Sequence, residues 1–143
     1  MAAVIDQHAG QITEDWLTIT SEVPALAAAP LTPEERVDHV PALLARISAF
    51  LRCDRETPGE EHIVIARVHG RLRRTQGYTI LMIIDEARLL DRCIFQCLQS
   101  NLLSIKITSL IPDIIRVSEM MHAQIGASVA GFLAPEESGR ASS

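Results

Sequence analysis

One carboxylate on the wrong side of a helix constrains this chain more than any other feature. From Thr79 to Ser100 the sequence TILMIIDEARLLDRCIFQCLQS has helical periodicity. At 100° per residue, Met82, Ile83, Glu86, Leu89, Leu90, Cys93 and Cys97 fall on one face. Glu86 therefore sits inside an apolar stripe, where a charge is costly unless it is paired or hydrogen-bonded. Candidate partners lie just upstream in HGRLRRTQGY: His69, Arg71, Arg73 and Arg74. The stretch His69 to Arg92 reads as a buried polar link between two packed helices joined by a Gly77-Tyr78 turn, with Gly77 placed as a left-handed C-cap. On the opposite side Asp85, Arg88 and Arg92 form a charged strip at helical spacing, as a solvent-facing side does.

The rest of the chain supplies further helices. Val4 to about Glu22 carries Ile5, Ile12, Trp16 and Ile19 or Thr20 at apolar spacing, with Trp16 as the anchor. Pro24 and Pro30 bracket an alanine-rich linker. In LTPEE, Thr32 is an N-cap, Pro33 is at N1 and Glu35 closes a capping box. A short helix over 33–39 follows, then one from 41 to about 53 with Leu43, Leu44, Ile47, Phe50 and Leu51 as its stripe. CDRETPGEE is a loop. A helix over 60–75 offers Ile65, Val68 and Leu72 on one face and His62, Ala66, His69 and Arg73 on a neighbouring one. LLSIKIT has strand composition but no second strand to pair with, so 101–108 is expected as a loop or frayed turn. The last helix, 109–134, presents Ile111, Ile114, Ile115, Ser118, Met121, Ile125, Val129 and Phe132 to the core, with Pro112 confined to its first turn. PEESGRASS has the composition of a disordered tail. The expectation is an all-α bundle of about five to six helices, a single domain over 1–134, with 135–143 as tail or linker.

Composition agrees. The chain has 143 residues, 48% hydrophobic and 3% aromatic, which suits an aliphatic helix-bundle core. A net charge of −5 argues against a general nucleic-acid binder. The basic cluster Arg67 to Arg74 reads as a helix C-terminus complementing its dipole. The start has no signal-peptide pattern, and the most apolar run, Ile94 to Ile115, is interrupted by Gln96, Gln99, Asn101, Lys106, Pro112 and Asp113, so no membrane span and a cytoplasmic location are expected. Cys53, Cys93 and Cys97 are an odd number without CxxC spacing, which excludes a disulfide framework and reads as core packing.

No catalytic constellation is present: no GxSxG, no cysteine with a placed histidine, no glycine-rich phosphate loop. His8, His39, His62, His69 and His122 form no compact ligand motif in sequence, and no metal or cofactor is assigned. Haem or metal on His69, His122 or the cysteines is the alternative. The stripe Ala123, Ala127, Ala130 and Ala134, beside Gly126 and Gly131, serves either close packing within the bundle or a dimer seam.

The order Trp16, LTPEERVDHVPALL, HGRLRRTQGYTILMIIDEARLLDR and a long terminal helix ending in GFL resembles the N-terminal sensory domain of RsbRD-type stressosome co-antagonists, which also precedes bacterial histidine kinase modules. The resemblance covers roughly residues 12–134. The family's H…R…G…E…LR signature maps onto His69, Arg73, Gly77, Tyr78, Glu86, Leu90 and Arg92, with Arg88 the alternative to Arg92. The Cys93/Cys97 pair departs from the family pattern. The resemblance implies a non-enzymatic all-α input domain, N-terminal to a kinase or to a sulfate-transporter and anti-sigma antagonist-like output domain. With no kinase motif of its own, the chain is then the isolated input domain, with a homodimer as an open alternative.

Overall fold

The computed structural model describes residues 1–136, and among these no strand occurs. The elements are α1 (Ala2–Ser21), α2 (Pro24–Ala27), α3 (Pro33–Val37), α4 (Val40–Arg52), α5 (Glu60–Thr75), α6 (Ile80–Ser100), a 3-10 turn (Leu102–Ser104) and α7 (Ile107–Leu133). The all-α bundle expected from the sequence is the observed architecture. The part of the expected tail from 137 on lies outside the described residues.

Local signals explain several boundaries. Thr32 Oγ1 accepts from the Glu35 amide at 3.1 Å and the Thr32 amide donates to Glu35 at 3.2 Å, the reciprocal box that starts α3. Thr79 starts α6 by accepting from the Met82 amide at 3.2 Å. Between α5 and α6, Gly77 takes φ +85°. Its amide donates to Arg74 O at 3.1 Å, and the Tyr78 amide to Arg73 O at 3.0 Å, a Schellman closure that needs a residue free of Cβ strain at Gly77.

The core is aliphatic. Ile5, Ile12 and Trp16 of α1, Leu43, Leu44 and Ile47 of α4, and Ile83, Leu90 and Ile94 of α6 are almost wholly buried. Helix α1 packs on both α4 and α6, whereas α5 makes most of its contacts with α7. Helices α5 and α7 run parallel: His62 meets Met120, Ala66 meets Ser128, and Arg74 meets Phe132 and Ala134.

Four expectations need correction. The Pro24–Pro30 linker contains the helical turn α2, with Leu26 buried beneath it. Helix α7 begins at Ile107 rather than Ser109, so Pro112 is internal. The carbonyl it deprives of a partner belongs to Thr108, which is exposed and open to water. The core face of α7 is also displaced. Ile111 and Ile115 are exposed, and the buried positions are Val117, Met120, Met121, Gln124, Ala127, Ser128 and Gly131. The first turns of α7 contribute no fully buried residue, and further along the small side chains turn to meet α5. Finally, α5 buries its polar face: His62, Ala66, His69, Gly70 and Arg73 are covered, while Val64, Val68 and Leu72 are exposed.

Glycines set the α5–α7 distance. A Cβ on Gly70 would overlap the Ser128 carbonyl, and one on Gly131 the Arg67 carbonyl. Ala127 and Gly131 of the small-residue stripe thus serve packing within the chain, while Gly126 and Ala130 remain exposed. We expect Gly70→Ala and Gly131→Ala each to lower unfolding free energy by about 1–3 kcal/mol or more through overpacking. Gly126→Ala, where nothing lies within 4 Å, should be neutral or stabilising by up to about 1 kcal/mol. Urea titration of the three variants checks this.

Candidate functional site

Glu86 lies on the inner face of α6 with its side chain 3% exposed. Its Oε1 accepts from His69 Nε2 at 3.0 Å and from Arg73 Nε at 3.0 Å. His69 and Arg73 lie one helical turn apart on α5, so both reach one oxygen. Arg73 is 1% exposed, a buried cation opposite a buried anion.

Both terminal nitrogens of Arg73 are also engaged. Its NH2 group donates to the Arg36 carbonyl at 2.9 Å, at the end of α3, and lies 3.5 Å from His39 Nδ1, and its NH1 group donates to Gln76 Oε1 at 2.9 Å. The guanidinium stacks over the Tyr78 ring at 4.8 Å. Arg36, itself buried, donates to the Leu26 and Ala29 carbonyls and thereby fixes the α2–α3 segment. Arg73 thus ties α3, α5 and α6 together.

On the other side, the His39 ring, at the start of α4, stacks on His69 with centroids 3.9 Å apart. His39 Nε2 is 3.9 Å from Glu86 Oε1, beyond hydrogen-bond range. Trp16 meets His39 edge-on at 5.6 Å, and its Nε1 donates to the Glu86 backbone carbonyl at 2.9 Å. That bond gives the single tryptophan a polar role as well as its apolar one.

Two acceptors here are unspent. Glu86 Oε2 and Gln124 Oε1 are buried without a hydrogen-bond partner, and the Tyr78 hydroxyl is likewise unpartnered. Burial, and then the Glu86 charge, push the Tyr78 phenol up to about 12. Glu86, Gln124, His39 and His69 line a cavity of about 10 Å³, room for one water-sized occupant and far too small for a porphyrin.

Of the residues singled out in the sequence, His69, Arg73, Tyr78 and Glu86 come together, and Gly77 makes the turn that positions Tyr78. Arg88 and Arg92 do not join them. Arg88 pairs loosely with Asp85 at 3.5 Å in solvent, and Arg92 is exposed. His122 is also exposed, on the outer side of α7. Sequence reasoning missed His39, Arg36 and Gln124 as parts of the centre. His39 lies in a short inter-helix segment, and periodicity gives no direction there.

A second buried histidine lies outside this centre. His62 Nδ1 accepts from Arg46 Nε at 3.2 Å, and its Nε2 donates to the Met120 carbonyl at 3.3 Å, the pattern of a neutral ring. Burial, reinforced by the Arg46 charge, lowers its pKa. His39 is held well below 6.5 by burial first, and then by the charges of His69, Arg73 and Arg46.

Two outcomes follow. Removing one partner of a buried ion pair costs about 3–5 kcal/mol, so Glu86→Ala should lower the melting temperature far more than Glu34→Ala on the exposed start of α3. Equal losses in a thermal melt would place Glu86 in solvent. His39 and His62 stay neutral in the fold at pH values where the unfolded chain protonates them. Their contribution to stability is therefore present above pH 6.5 and is lost as pH falls below it. Denaturant titrations from pH 7.5 down to 5.5 should show falling stability, by at most about 1.4 kcal/mol per pH unit for each group. His39→Asn should flatten that slope.

Comparison with known proteins bears on the same region. No curated protein and no solved structure matches the chain. A family model, described as the RsbT co-antagonist protein rsbRD N-terminal domain, matches residues 10–141, a span that includes every residue of the Glu86 centre. The chain belongs to this family, which groups it with the N-terminal domains of stressosome-type signalling regulators.

Proposed function

We propose that this domain is a non-catalytic, cytoplasmic input module that relays a signal by repacking its helices around Glu86, and that α7 carries the change to a C-terminal output domain, either a kinase or an antagonist-like module. One observation carries the reading. Arg73 and Arg74, adjacent on α5, face two different structures. Arg73 closes the Glu86 centre, while Arg74 NH1 donates to the Phe132 carbonyl at 3.1 Å and the Ala134 carbonyl at 2.9 Å, at the end of α7. Whatever alters the pairing of Glu86 acts on the helix that holds the end of α7.

The centre also suits a two-state element. It joins α1, α3, α4, α5 and α6 through a few directional bonds, and Glu86 Oε2 and Gln124 Oε1 are left unspent. A network with unused acceptors has an alternative arrangement within reach, which relay by population shift requires. Continuity between the centre and α7 supports the reading; the coupling itself is the quantity to measure. A dimer would have to use a face other than Gly131, which meets α5, and Ala127, which is buried; the exposed Val64, Val68 and Leu72 of α5 form such a face.

Hydrogen exchange tests the relay. Glu86→Gln keeps the side-chain volume and weakens the charge-assisted bonds to His69 and Arg73. Relative to wild type, it should speed amide exchange in α5 and in the last turns of α7, Ser128 to Leu133, and leave the Ala2 end of α1 unchanged. Faster exchange confined to α6, with α7 as in wild type, would sink the relay.

A further inference from the structure

Glu86, His39 and His69 come from α6, the start of α4 and α5, and no sequence motif links them. Each offers one ligand atom, and these atoms all lie within 4.8 Å of one another. We propose that these three residues form a binding site for one divalent first-row transition metal ion.

Three observations converge. The first is the donor set. Two imidazoles and one carboxylate are ligands that such ions prefer. The second is the unused valence around the cavity. Glu86 Oε2 and Gln124 Oε1 are both acceptors, both buried, and neither has a partner. Buried acceptors without donors call for a cation or a proton donor. The third is size. The cavity of about 10 Å³ is lined by all three ligands and by Gln124, and it admits one water or one bare ion but no organic cation.

Arg73 stands against a dication, and its position shows how the conflict is limited. It hydrogen-bonds Oε1 and leaves Oε2 uncommitted. The nearby charge weakens the site and makes it exchangeable, a property suited to sensing rather than permanent structure. Loading would require His69 to give up the Nε2 proton that it now donates to Glu86, to Nδ1 or to solvent, and the stacked His39 and His69 rings to tilt so that both lone pairs meet at the ion. The consequence for α7 rests on the relay proposed above; the binding does not.

The test uses untagged, chelator-treated protein titrated with Co²⁺, read by visible d–d absorption and by equilibrium dialysis, with Mg²⁺ as the oxygen-preferring control. We expect one Co²⁺ per chain, no response to Mg²⁺, and affinity weakened about tenfold or more in His39→Asn. His39→Asn is the primary variant because His39 makes no hydrogen bond to Glu86 and only a marginal contact, 3.5 Å, with Arg73 NH2, while the bond from Arg73 Nε to Glu86 does not involve it. As a readout independent of variants, Zn²⁺ added to wild type should shift the imidazole ¹⁵N resonances of His39 and His69 and leave those of His8 and His122 in place. Absence of Co²⁺ binding, undiminished binding in His39→Asn, or ¹⁵N shifts confined to His8 or His122 would each overturn the site. The exchange experiment on Glu86→Gln contains no metal, so failure of the relay and failure of the metal site are told apart.

Discussion

The fold is organised around one desolvated charge. Moving a carboxylate from water into a bundle core costs several kcal/mol, and only short, well-directed bonds recover it. Glu86 recovers it from His69 and Arg73, and Arg73 is in turn held by the Arg36 carbonyl, Gln76 and the Tyr78 ring. These bonds exist in one register of α5 against α6. A slip of one residue along α5 would rotate both donors by 100° and strand the carboxylate. A buried ion pair is often no more stabilising than an apolar replacement of the same shape, but its bonds are directional and tie the packing to one register.

This requirement explains why α5 turns its back on the usual rule. Its polar side closes the Glu86 centre, so Val64, Val68 and Leu72 are left at the surface. It also explains the company α5 keeps. With its inward side occupied by long polar side chains, the helix gains close backbone contact on its flank, where Ala66 and Gly70 meet Ser128 and where Gly131 meets Arg67.

Much of this was legible in the sequence because several cues were local. The capping box at Thr32, the left-handed Gly77 and the burial of Glu86 all follow from spacing, and so does its attraction to the basic end of α5. What the sequence hid depended on geometry between elements. His39 precedes a helix whose direction is set by tertiary packing. Gln124 is one of several polar residues on α7, and spacing alone does not tell which of them turns inward. The core face of α7 was misread because periodicity finds the most hydrophobic side, Ile111 and Ile115, whereas contact with α5 selects the smallest side, Ala127, Ser128 and Gly131. Hydrophobicity and closeness of approach are different criteria, and here they chose different faces.

The interlock of Gly70 and Gly131 has a mechanical corollary. Two parallel helices whose backbones meet carbonyl against Cα cannot slide along each other by a fraction of a turn, since every intermediate position drives a carbonyl into a neighbour. The two helices are keyed together at these two points. Any axial displacement of α5 would carry α7 with it instead of being absorbed as slip between them.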